Sequence, residues 1–307
     1  MYLHKDKQKF VQLVEATRAA TGIDEAIIEK DYFVTTILKR LIEKEPLIIF
    51  KGGTCLSKCY KIIDRFSEDI DINLEDVNSQ TQSTKKRVSK LIFDIIDELG
   101  LTLTNPERIA SGRSHNNYKI DYPALFLGNV APEVQVETMF LVNTFPTDKM
   151  EASSIIFDYL IDIGREDIIV QFGLESFEVT TQSLERTFVD KVFALGTHYL
   201  SDRTIRQSRH LYDLHKILPH VKVDKEMLNL FDEVRIAWGD RKGNKEWEAA
   251  EDVEDLPKLL KEVISTKAYK SDYEKYTSVL LYEGASYDDV IRSFKKIILQ
   301  LESDMEM

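Results

Sequence analysis

The chain has 307 residues, of which 43% are hydrophobic and 31% are charged, and it contains few glycines and prolines. This composition predicts a globular protein with one large domain or two closely packed domains, and it excludes wholesale disorder. The formal net charge of −12 argues against a surface that is basic everywhere and against nonspecific binding to duplexes. Local basic patches on such a chain are still compatible with nucleic-acid binding.

The sequence suggests a location in the cytoplasm and no contact with a membrane. No apolar run approaches the roughly 20 residues that cross a bilayer. The first residues are polar and lack the apolar core of a signal peptide. The two cysteines, Cys55 and Cys59, are four residues apart on one face of a predicted helix, so we interpret them as small buried residues and not as a disulfide.

Two helices are predicted before the first strand. One covers about 5–20, and the other follows the capping residue Asp24 and ends near Glu43. Within the second helix, Lys30 and Asp31 either contribute to a ligand cleft or lie on a solvated helix face.

The stretch from Leu47 to Leu74 predicts a buried strand, a two-glycine turn, a short helix and a second strand. Gly52 and Gly53 allow backbone angles that residues with a Cβ resist, and they let another group approach the main chain closely. Thr54 follows where the helix is predicted to begin, so its hydroxyl and the nearby amides can face an anionic ligand. The pattern therefore predicts a phosphate-binding turn.

Asp69 and Asp71 alternate with apolar residues in the second of these strands. Residues two apart in a strand share a face and lie roughly 7 Å from each other at the backbone, so the two carboxylates can converge. Such a pair can bind one or two magnesium ions, which prefer oxygen ligands and often share phosphate oxygens. Taken alone, the same pair also fits a solvated sheet face.

The middle of the chain predicts one further helix and several strands. The helix Lys85–Leu99 begins with basic residues that oppose the helix dipole, so they either contact phosphates or form a solvated charged face. Arg113, in a predicted turn, is a further candidate for a phosphate contact. The predicted strands are Leu101–Ile109, Tyr118–Tyr122, Glu133–Leu141, 168–172 and Phe177–Thr181.

Everything after Gln182 predicts helices, so we expect two domains, 1–182 and 183–307. In the helix Gln182–Leu200, Lys191 lies at the rim of an apolar stripe, from which a lysine can extend to solvent or reach an anionic ligand. In the helix Ser201–Leu218, Asp213 shares a face with Arg206 and Arg209 and could simply pair with one of them.

Further helices are predicted at Val223–Trp238, Leu256–Ser265 and Asp272–Tyr282, and a last one follows the capping residue Ser286. The basic residues after Trp238 form a basic–aromatic patch, which either stacks a base or packs as a loop with two buried tryptophans. This patch consists of Trp238, Arg241, Lys242, Lys245 and Trp247.

The order of these motifs resembles a known enzyme superfamily. Gly-Gly-Thr, a spacer helix and Asp-x-Asp are similar to the signature of the DNA-polymerase-β-like nucleotidyltransferases. The fuller string KGGT-x-LSK-x-Y…RFSEDIDI resembles the AbiEii toxin branch of that superfamily. The resemblance implies an α+β fold: a polymerase-β-like nucleotidyltransferase lobe, with a mixed sheet and flanking helices, and a C-terminal helical lobe that completes the nucleotide cleft.

The resemblance also implies a role for each candidate site residue. Asp69, Asp71 and a third carboxylate would bind Mg²⁺ in a two-metal site, with Mn²⁺ as an alternative ion. Glu137 is the first choice for the third carboxylate and Glu133 the second. The implied catalytic residues are Asp69, Asp71, Glu137, Lys191 and Asp213. The implied nucleotide-binding residues are Lys51, Gly52, Gly53, Thr54, Ser67 and Lys191.

The function that the resemblance implies is transfer of a nucleoside monophosphate from an NTP to an acceptor, with the 3′ end of tRNA as the favoured acceptor. The enzyme would be the toxin of a toxin–antitoxin or phage-defence pair, with a cognate antitoxin as its partner. Asp213 would either position Lys191 or contact the nucleotide or the metal shell. Two alternatives stay open: transfer to a small molecule or a protein side chain, and a nucleotide-binding module whose catalysis has lapsed.

Overall fold

The structure is a computed structural model that describes residues 1–75, 81–239, 255–282 and 284–305. It divides into two compact units: unit 1 comprises 1–60 and 67–181, and unit 2 comprises 61–66 and 182–307. The segment Lys61–Phe66 therefore belongs to unit 2 although it lies within the predicted strand–turn–helix–strand stretch. The motifs and their spacing did not predict this division. The predicted basic–aromatic patch lies outside the described residues apart from Trp238.

Unit 1 is built on a mixed sheet whose strands lie in the order β3-β4-β5-β2-β1-β7-β6. Strand β1 pairs antiparallel with β2 and parallel with β7, and β2 pairs parallel with β5. The strands are β1 (Ile48–Lys51), β2 (Ile70–Leu74), β3 (Thr102–Leu103), β4 (His115–Asp121), β5 (Glu133–Met139), β6 (Thr147–Ala152) and β7 (Phe177–Gln182). A mixed sheet with flanking helices is the predicted fold class, which is confirmed.

Strand β5 alternates between buried and half-buried residues, whereas β1 is buried on both faces from Ile48 to Phe50, as predicted. Ile70, Val136 and Tyr118 lie side by side on neighbouring strands and are all buried. Asp71 and Glu137, on the other face, are half-buried, although Asn73 on the same face of β2 is buried. The alternation in β5 confirms the predicted period of two, and both carboxylates stay accessible to a ligand.

The helices of unit 1 among the described residues are α1 (Lys7–Thr21), α2 (Glu25–Lys44), α3 (Gly52–Lys58), α4 (Gln82–Leu99), α5 (Ile155–Asp162) and α6 (Glu166–Phe172). The carboxylate of Asp24 accepts the Ala26 N–H at 3.0 Å, which confirms the predicted cap of α2. Both cysteines are free and buried, as predicted, and burial raises the pKa of the Cys55 thiol, with a further contribution from its hydrogen bond to Cys59.

One predicted strand in unit 1 is wrong and another is only partly correct. Residues 168–172 lie in α6, because a short apolar run fits a buried helix as well as a strand; the helix ends at Gly173, whose φ is +66°. Leu101–Ile109 contains only the two-residue strand β3, followed by a 3₁₀ turn at Pro106–Arg108. Proline lacks an N–H for a strand ladder and fits the first turn of a helix.

Unit 2 is helical, with α7 (Leu184–Leu200), α8 (Arg209–Ile217), α9 (Lys225–Gly239), α10 (Leu256–Ser265), α11 (Lys270–Asp272) and α12 (Tyr287–Met305). The Ser286 hydroxyl accepts the Asp289 N–H at 3.2 Å, which confirms the predicted cap of α12. Among the described residues of both units, no helix combines the length and the apolar character that crossing a bilayer requires.

Two predicted helices of unit 2 are only partly correct. The predicted helix Ser201–Leu218 begins at Arg209, because Asp202 and Arg206 have φ of +54° and +62° in the left-handed region. Arg206 therefore does not share a helix face with Asp213. The predicted helix Asp272–Tyr282 is a π-helical turn, Tyr273–Thr277, followed by a 3₁₀ turn, Ser278–Leu280.

The buried ring of His4 gives a prediction for stability. Its Nδ1 lies 2.9 Å from the Tyr32 hydroxyl and its Nε2 lies 3.0 Å from the Leu99 carbonyl oxygen. Burial lowers the pKa of His4. Below the unfolded-state pKa of about 6.5, the unfolded chain binds a proton that the folded chain resists, so the free energy of unfolding falls as the pH falls.

We expect urea denaturation to show this loss between pH 7.5 and pH 5.5, with a contribution from His4 of up to about 1.4 kcal/mol. The variant His4→Gln should lose less stability over this interval than wild type. The variant His220→Gln, at an exposed position, should behave as wild type does. The same pH dependence in wild type and His4→Gln would contradict the prediction.

Candidate active site

A row of polar side chains crosses four strands on the partly exposed face of the sheet. Lys51 of β1 lies opposite Asp71 of β2, Asp71 lies beside Glu137 of β5, and Glu137 lies opposite Asn117 of β4. Residues paired across neighbouring strands share a face, with strands about 5 Å apart. These four residues, called the polar row below, bring one predicted metal ligand directly beside another.

The two candidates for the third carboxylate have different surroundings. Asn117 donates an N–H to Oε1 of Glu137 at 2.8 Å, which orients the Glu137 carboxylate within the polar row. Glu133 instead lies opposite Asp121, and Lys119 donates to it at 3.2 Å. Four residues along a strand correspond to roughly 13 Å, so Glu133 lies well away from the position beside Asp71. The geometry favours Glu137.

Gly52 lets Asp71 approach the turn between β1 and α3. Its φ is +80°, in the left-handed region that favours glycine. A Cβ at this position would lie 1.9 Å from Oδ2 of Asp71, a distance that no real Cβ contact tolerates. The carboxylate of Asp71 is therefore held against the backbone of the predicted phosphate-binding turn.

A hydrogen bond joins the two halves of the predicted motif. The Thr54 hydroxyl donates to Oγ of Ser67 at 3.0 Å, and Thr54 itself is fully buried. The neighbouring residues Gly53, Ser67 and Asp69 are only half-buried, and Asp69 directly precedes β2. Thr54 thus fixes the turn to the segment that carries the acids, while Gly53 and Ser67 are the accessible members of the motif.

Helix α2 supports this site from the core. Lys30 is 2% exposed; it forms an ion pair with Glu68, next to Asp69, and donates to the Ala131 carbonyl at 2.9 Å. Lys58, at the end of α3, forms an ion pair with Asp31 of α2. The alternative of a solvated helix face for Lys30 and Asp31 is therefore wrong.

The contacts of Lys58 continue into the neighbouring elements. Its Nζ donates to Oγ1 of Thr35 at 2.6 Å, while Oδ2 of Asp31 accepts the Ile155 N–H at 2.8 Å. Sequence reasoning assigned no role to Lys58 or Glu68. The sequence signal for these roles was the run of charged residues Glu29–Asp31 in a largely apolar helix, because charged residues that become buried require charged partners elsewhere in the chain.

In unit 2, Arg65, Lys191 and Asp213 form a buried charged group, called the Asp213 cluster below. Lys191 of α7 donates to Oδ2 of Asp213 in α8 at 2.6 Å. Arg65 donates through Nε to Oδ1 at 2.7 Å and through Nη2 to Oδ2 at 2.8 Å. Asp213 is 0% exposed. The predicted simple pairing of Asp213 with Arg206 or Arg209 is therefore wrong, and Lys191 does not extend to solvent.

Burial alone would raise the pKa of Asp213, but Arg65 and Lys191 outweigh it and hold that pKa far below its usual range. Asp213 is therefore a fixed anion. Burial lowers the pKa of Lys191, and Asp213 acts in the opposite direction. Between the two roles predicted for Asp213, this geometry favours positioning of Lys191.

The polar row has the donor chemistry that Mg²⁺ requires. Asp71, Glu137 and the adjacent Asp69 offer carboxylate oxygens, and Gly52 leaves the space that the Asp71 carboxylate fills beside the turn. In the described ranges, no three His, Cys, Asp or Glu side chains already converge as metal ligands. Mg²⁺ is usually bound through one or two carboxylates together with substrate phosphates, so the residues fit a nucleotide-bound ion.

Comparison with known proteins agrees with this geometry. The family described as nucleotidyl transferase AbiEii toxin, type IV toxin–antitoxin system, matches residues 36–297. In structure, the chain is similar to MenT4, a nucleotidyltransferase toxin from Mycobacterium tuberculosis H37Rv, with a TM-score of 0.61 and 18% identity over 94% of this chain and 89% of that one. No curated protein matches the sequence. The structural likeness supports the fold, and the family match covers both the polar row and the Asp213 cluster.

The close approach of Asp71 to Gly52 can be tested by adding one methyl group. We expect Gly52→Ala to lower nucleotidyl transfer about 100-fold, because a Cβ would displace the Asp71 carboxylate. Steady-state rates with labelled nucleotide measure this effect.

Gly22→Ala is the matched control. Gly22 has a similar φ of +75°, but a Cβ there would meet no atom within 4 Å. Both variants should lose roughly 1–2 kcal/mol of stability to left-handed strain, and only Gly52→Ala should lose activity. Equal activity in the two variants would refute the steric argument.

Proposed function

Because the chain belongs to the AbiEii family of nucleotidyltransferase toxins of type IV toxin–antitoxin systems, we propose that it moves a nucleoside monophosphate from an NTP to the 3′ end of tRNA. The observation that carries this proposal is the position of Asp71, beside Glu137 and against the Gly52 turn. That arrangement combines carboxylates for a metal ion with a backbone turn for phosphates. The partner is the cognate antitoxin, and we propose action in the cytoplasm.

The polar row and its neighbours supply the groups that this reaction needs. Asp69, Asp71 and Glu137 would hold Mg²⁺, which when bound would neutralise phosphate charge and lower the pKa of the acceptor hydroxyl. Gly53 and Ser67 border the phosphates. The acceptor oxygen bonds to the α-phosphorus as the bond from that phosphorus to the pyrophosphate oxygen breaks, so no covalent protein intermediate is required.

Glu137 accepts the proton of the acceptor hydroxyl in this proposal. A general base must be held in a fixed orientation within reach of the proton that it removes. The hydrogen bond from Asn117 to Oε1 of Glu137 supports that role, because it fixes the direction of the carboxylate. In unit 2, Lys191 contacts the phosphates and neutralises charge as pyrophosphate leaves, and its hydrogen bond to Asp213 supports a fixed position for the ammonium.

A basic rim in unit 1 favours RNA as the acceptor. It consists of Lys85, Lys86, Arg113 and His115, of which all but Lys85 are exposed. Lys85 donates to the Ser114 hydroxyl at 2.9 Å, so the start of α4 lies against the turn that carries Arg113.

The basic rim is next to the polar row along strand β4. His115 lies two residues before Asn117 on the same strand face, which corresponds to about 7 Å. Three Lys and Arg side chains concentrated beside His115, in a chain of net charge −12, suit a phosphate backbone better than a small cationic acceptor.

A transfer assay tests the proposed function. The protein is incubated with Mg²⁺, each labelled NTP in turn, and total tRNA or lysate. We expect label on tRNA with wild type, and a loss of at least about 100-fold with Asp71→Asn and with Glu137→Gln. Glu133→Gln is the matched control and should stay close to wild type, because Glu133 pairs with Lys119 away from Asp71.

The other outcomes of this assay are also decisive. Label on protein or small molecules alone would support a different acceptor, and nucleotide binding without transfer would support a lapsed enzyme. Full activity in Glu137→Gln together with loss of activity in Glu133→Gln would assign the third carboxylate to Glu133.

The basic rim can be tested by charge reversal. We expect Lys86→Glu combined with Arg113→Glu to raise KM for tRNA about 10-fold or more, and to reduce the salt dependence of that KM, because fewer phosphates are neutralised. The KM for the NTP should not change. Rates at several salt concentrations measure the effect.

The control combines Lys149→Glu with Arg165→Glu, which changes the net charge equally. Lys149 lies in β6, at the opposite edge of the sheet from β4, and both residues are exposed. A similar rise in KM for tRNA in the control would mean that total charge, and not the basic rim, determines the affinity.

A further inference from the structure

The Asp213 cluster contains a residue for which the proposed chemistry has no role. Arg65 is 4% exposed and lies in Lys61–Phe66, the segment of unit 2 that interrupts the motif running from Gly52 to Asp71. Its guanidinium binds both oxygens of the Asp213 carboxylate, at 2.7 and 2.8 Å. A planar fork on a carboxylate fixes the plane of that carboxylate and the positions of both oxygens.

We propose that Arg65 is a positioning residue for nucleotidyl transfer: it holds the Asp213 carboxylate in the orientation that directs the Lys191 ammonium. Oδ2 of Asp213 accepts from both Arg65 and Lys191, so a rotation of the carboxylate would move the acceptor of the lysine. This inference rests on the proposed contact of Lys191 with the phosphates of the nucleotide.

Arg65 acts through Asp213 and does not itself contact the phosphates. Each of its guanidinium nitrogens already donates to a protein acceptor: Nε and Nη2 to Asp213, and Nη1 to the Phe66 carbonyl oxygen at 3.1 Å. The Lys191 ammonium has three N–H groups, and its bond to Asp213 uses one of them.

The backbone that carries Arg65 is also fixed. The Asp64 N–H donates to the Tyr212 hydroxyl at 2.9 Å, and the Phe66 N–H donates to the Leu280 carbonyl at 3.0 Å. Tyr212 is the residue before Asp213 in α8. The guanidinium therefore projects from an anchored segment, and Arg65 precedes Asp69 by only four positions in the chain.

Charge and geometry have separable effects at this cluster. Burial lowers the pKa of Lys191, Asp213 raises it, and Arg65 and Arg209 lower it; the half-buried His210 is a further titratable neighbour. Arg65→Gln removes the charge and should raise the pKa of Lys191. Arg65→Lys keeps the charge but lacks the planar guanidinium, so it should leave that pKa nearly unchanged. The pKa of Lys191 therefore tests whether Arg65 acts on Lys191, and the loss of kcat in Arg65→Lys tests whether the geometry of the guanidinium matters.

The test compares Arg65→Gln, Arg65→Lys and the control Lys216→Gln. Lys216 binds Asp64 of the same segment at 2.6 Å and is more exposed than Arg65. For each full-length variant, kcat for label transfer to tRNA, KM for the NTP and thermal unfolding are measured. The titration of Lys191 is followed by NMR of its side chain.

We expect kcat to fall about 10- to 100-fold in Arg65→Gln, with a rise in the pKa of Lys191, and to fall less in Arg65→Lys, with no change in that pKa. Lys216→Gln should resemble wild type in both measurements. If Arg65→Gln does not unfold cooperatively, Arg65→Lys decides. Wild-type kcat in a folded Arg65 variant, or an equal loss in Lys216→Gln, would overturn the inference.

The outcome is distinguishable from a failure of the proposed function. If the wild-type protein transfers no label to any acceptor, the proposed function fails first. The NMR titration then still tests the link between Arg65 and Lys191, because it requires no turnover. An unchanged Lys191 titration in folded Arg65→Gln would show that Arg65 does not act on Lys191.

Discussion

The close packing of the Asp71 carboxylate against Gly52 is the constraint on which the site depends. A Cβ at residue 52 would lie 1.9 Å from Oδ2 of Asp71, so only glycine lets the acidic strand β2 approach the turn between β1 and α3. The turn and the acid are weak signals when considered separately. Their contact brings a carboxylate ligand to the backbone that would receive phosphates, and this is the arrangement that a metal-bound nucleotide requires.

The sheet extends this contact into a row. Because β2 is paired with both β1 and β5, Asp71 has Lys51 on one side and Glu137 on the other, and Asn117 orients Glu137 from β4. Helix α2 then contacts the motif through two ion pairs, of Lys30 with Glu68 and of Asp31 with Lys58. Both lysines are buried, so each requires its carboxylate partner, and these pairs join α2 to the end of α3 and to the residue before Asp69.

Local patterns predicted much of this fold, and long-range pairing determined the rest. The alternation in β2 and β5 predicted which faces carry Asp71 and Glu137, because that period depends only on the strand itself. Only the family resemblance predicted that β2 and β5 are neighbours in the sheet, since the pairing and register of strands depend on contacts that are distant in sequence. The same limit explains the wrong partner for Asp213: Arg65 is 148 residues away in the chain. The prediction of a strand at 168–172 was wrong for a local reason, because a short apolar run does not distinguish a strand from a helix.

The central claim is that the polar row, at the Gly52 turn, binds the metal and the phosphates of the nucleotide. Anomalous diffraction from crystals of the wild-type protein, grown with Mn²⁺ and a non-hydrolysable NTP, tests this claim most directly. The account predicts an anomalous peak at metal-ligand distance from the Asp71 carboxylate, with the phosphates beside Gly53. The account would be contradicted if the nucleotide and the metal bound at another site while the Gly52 turn and Asp71 kept their positions and contacted no ligand.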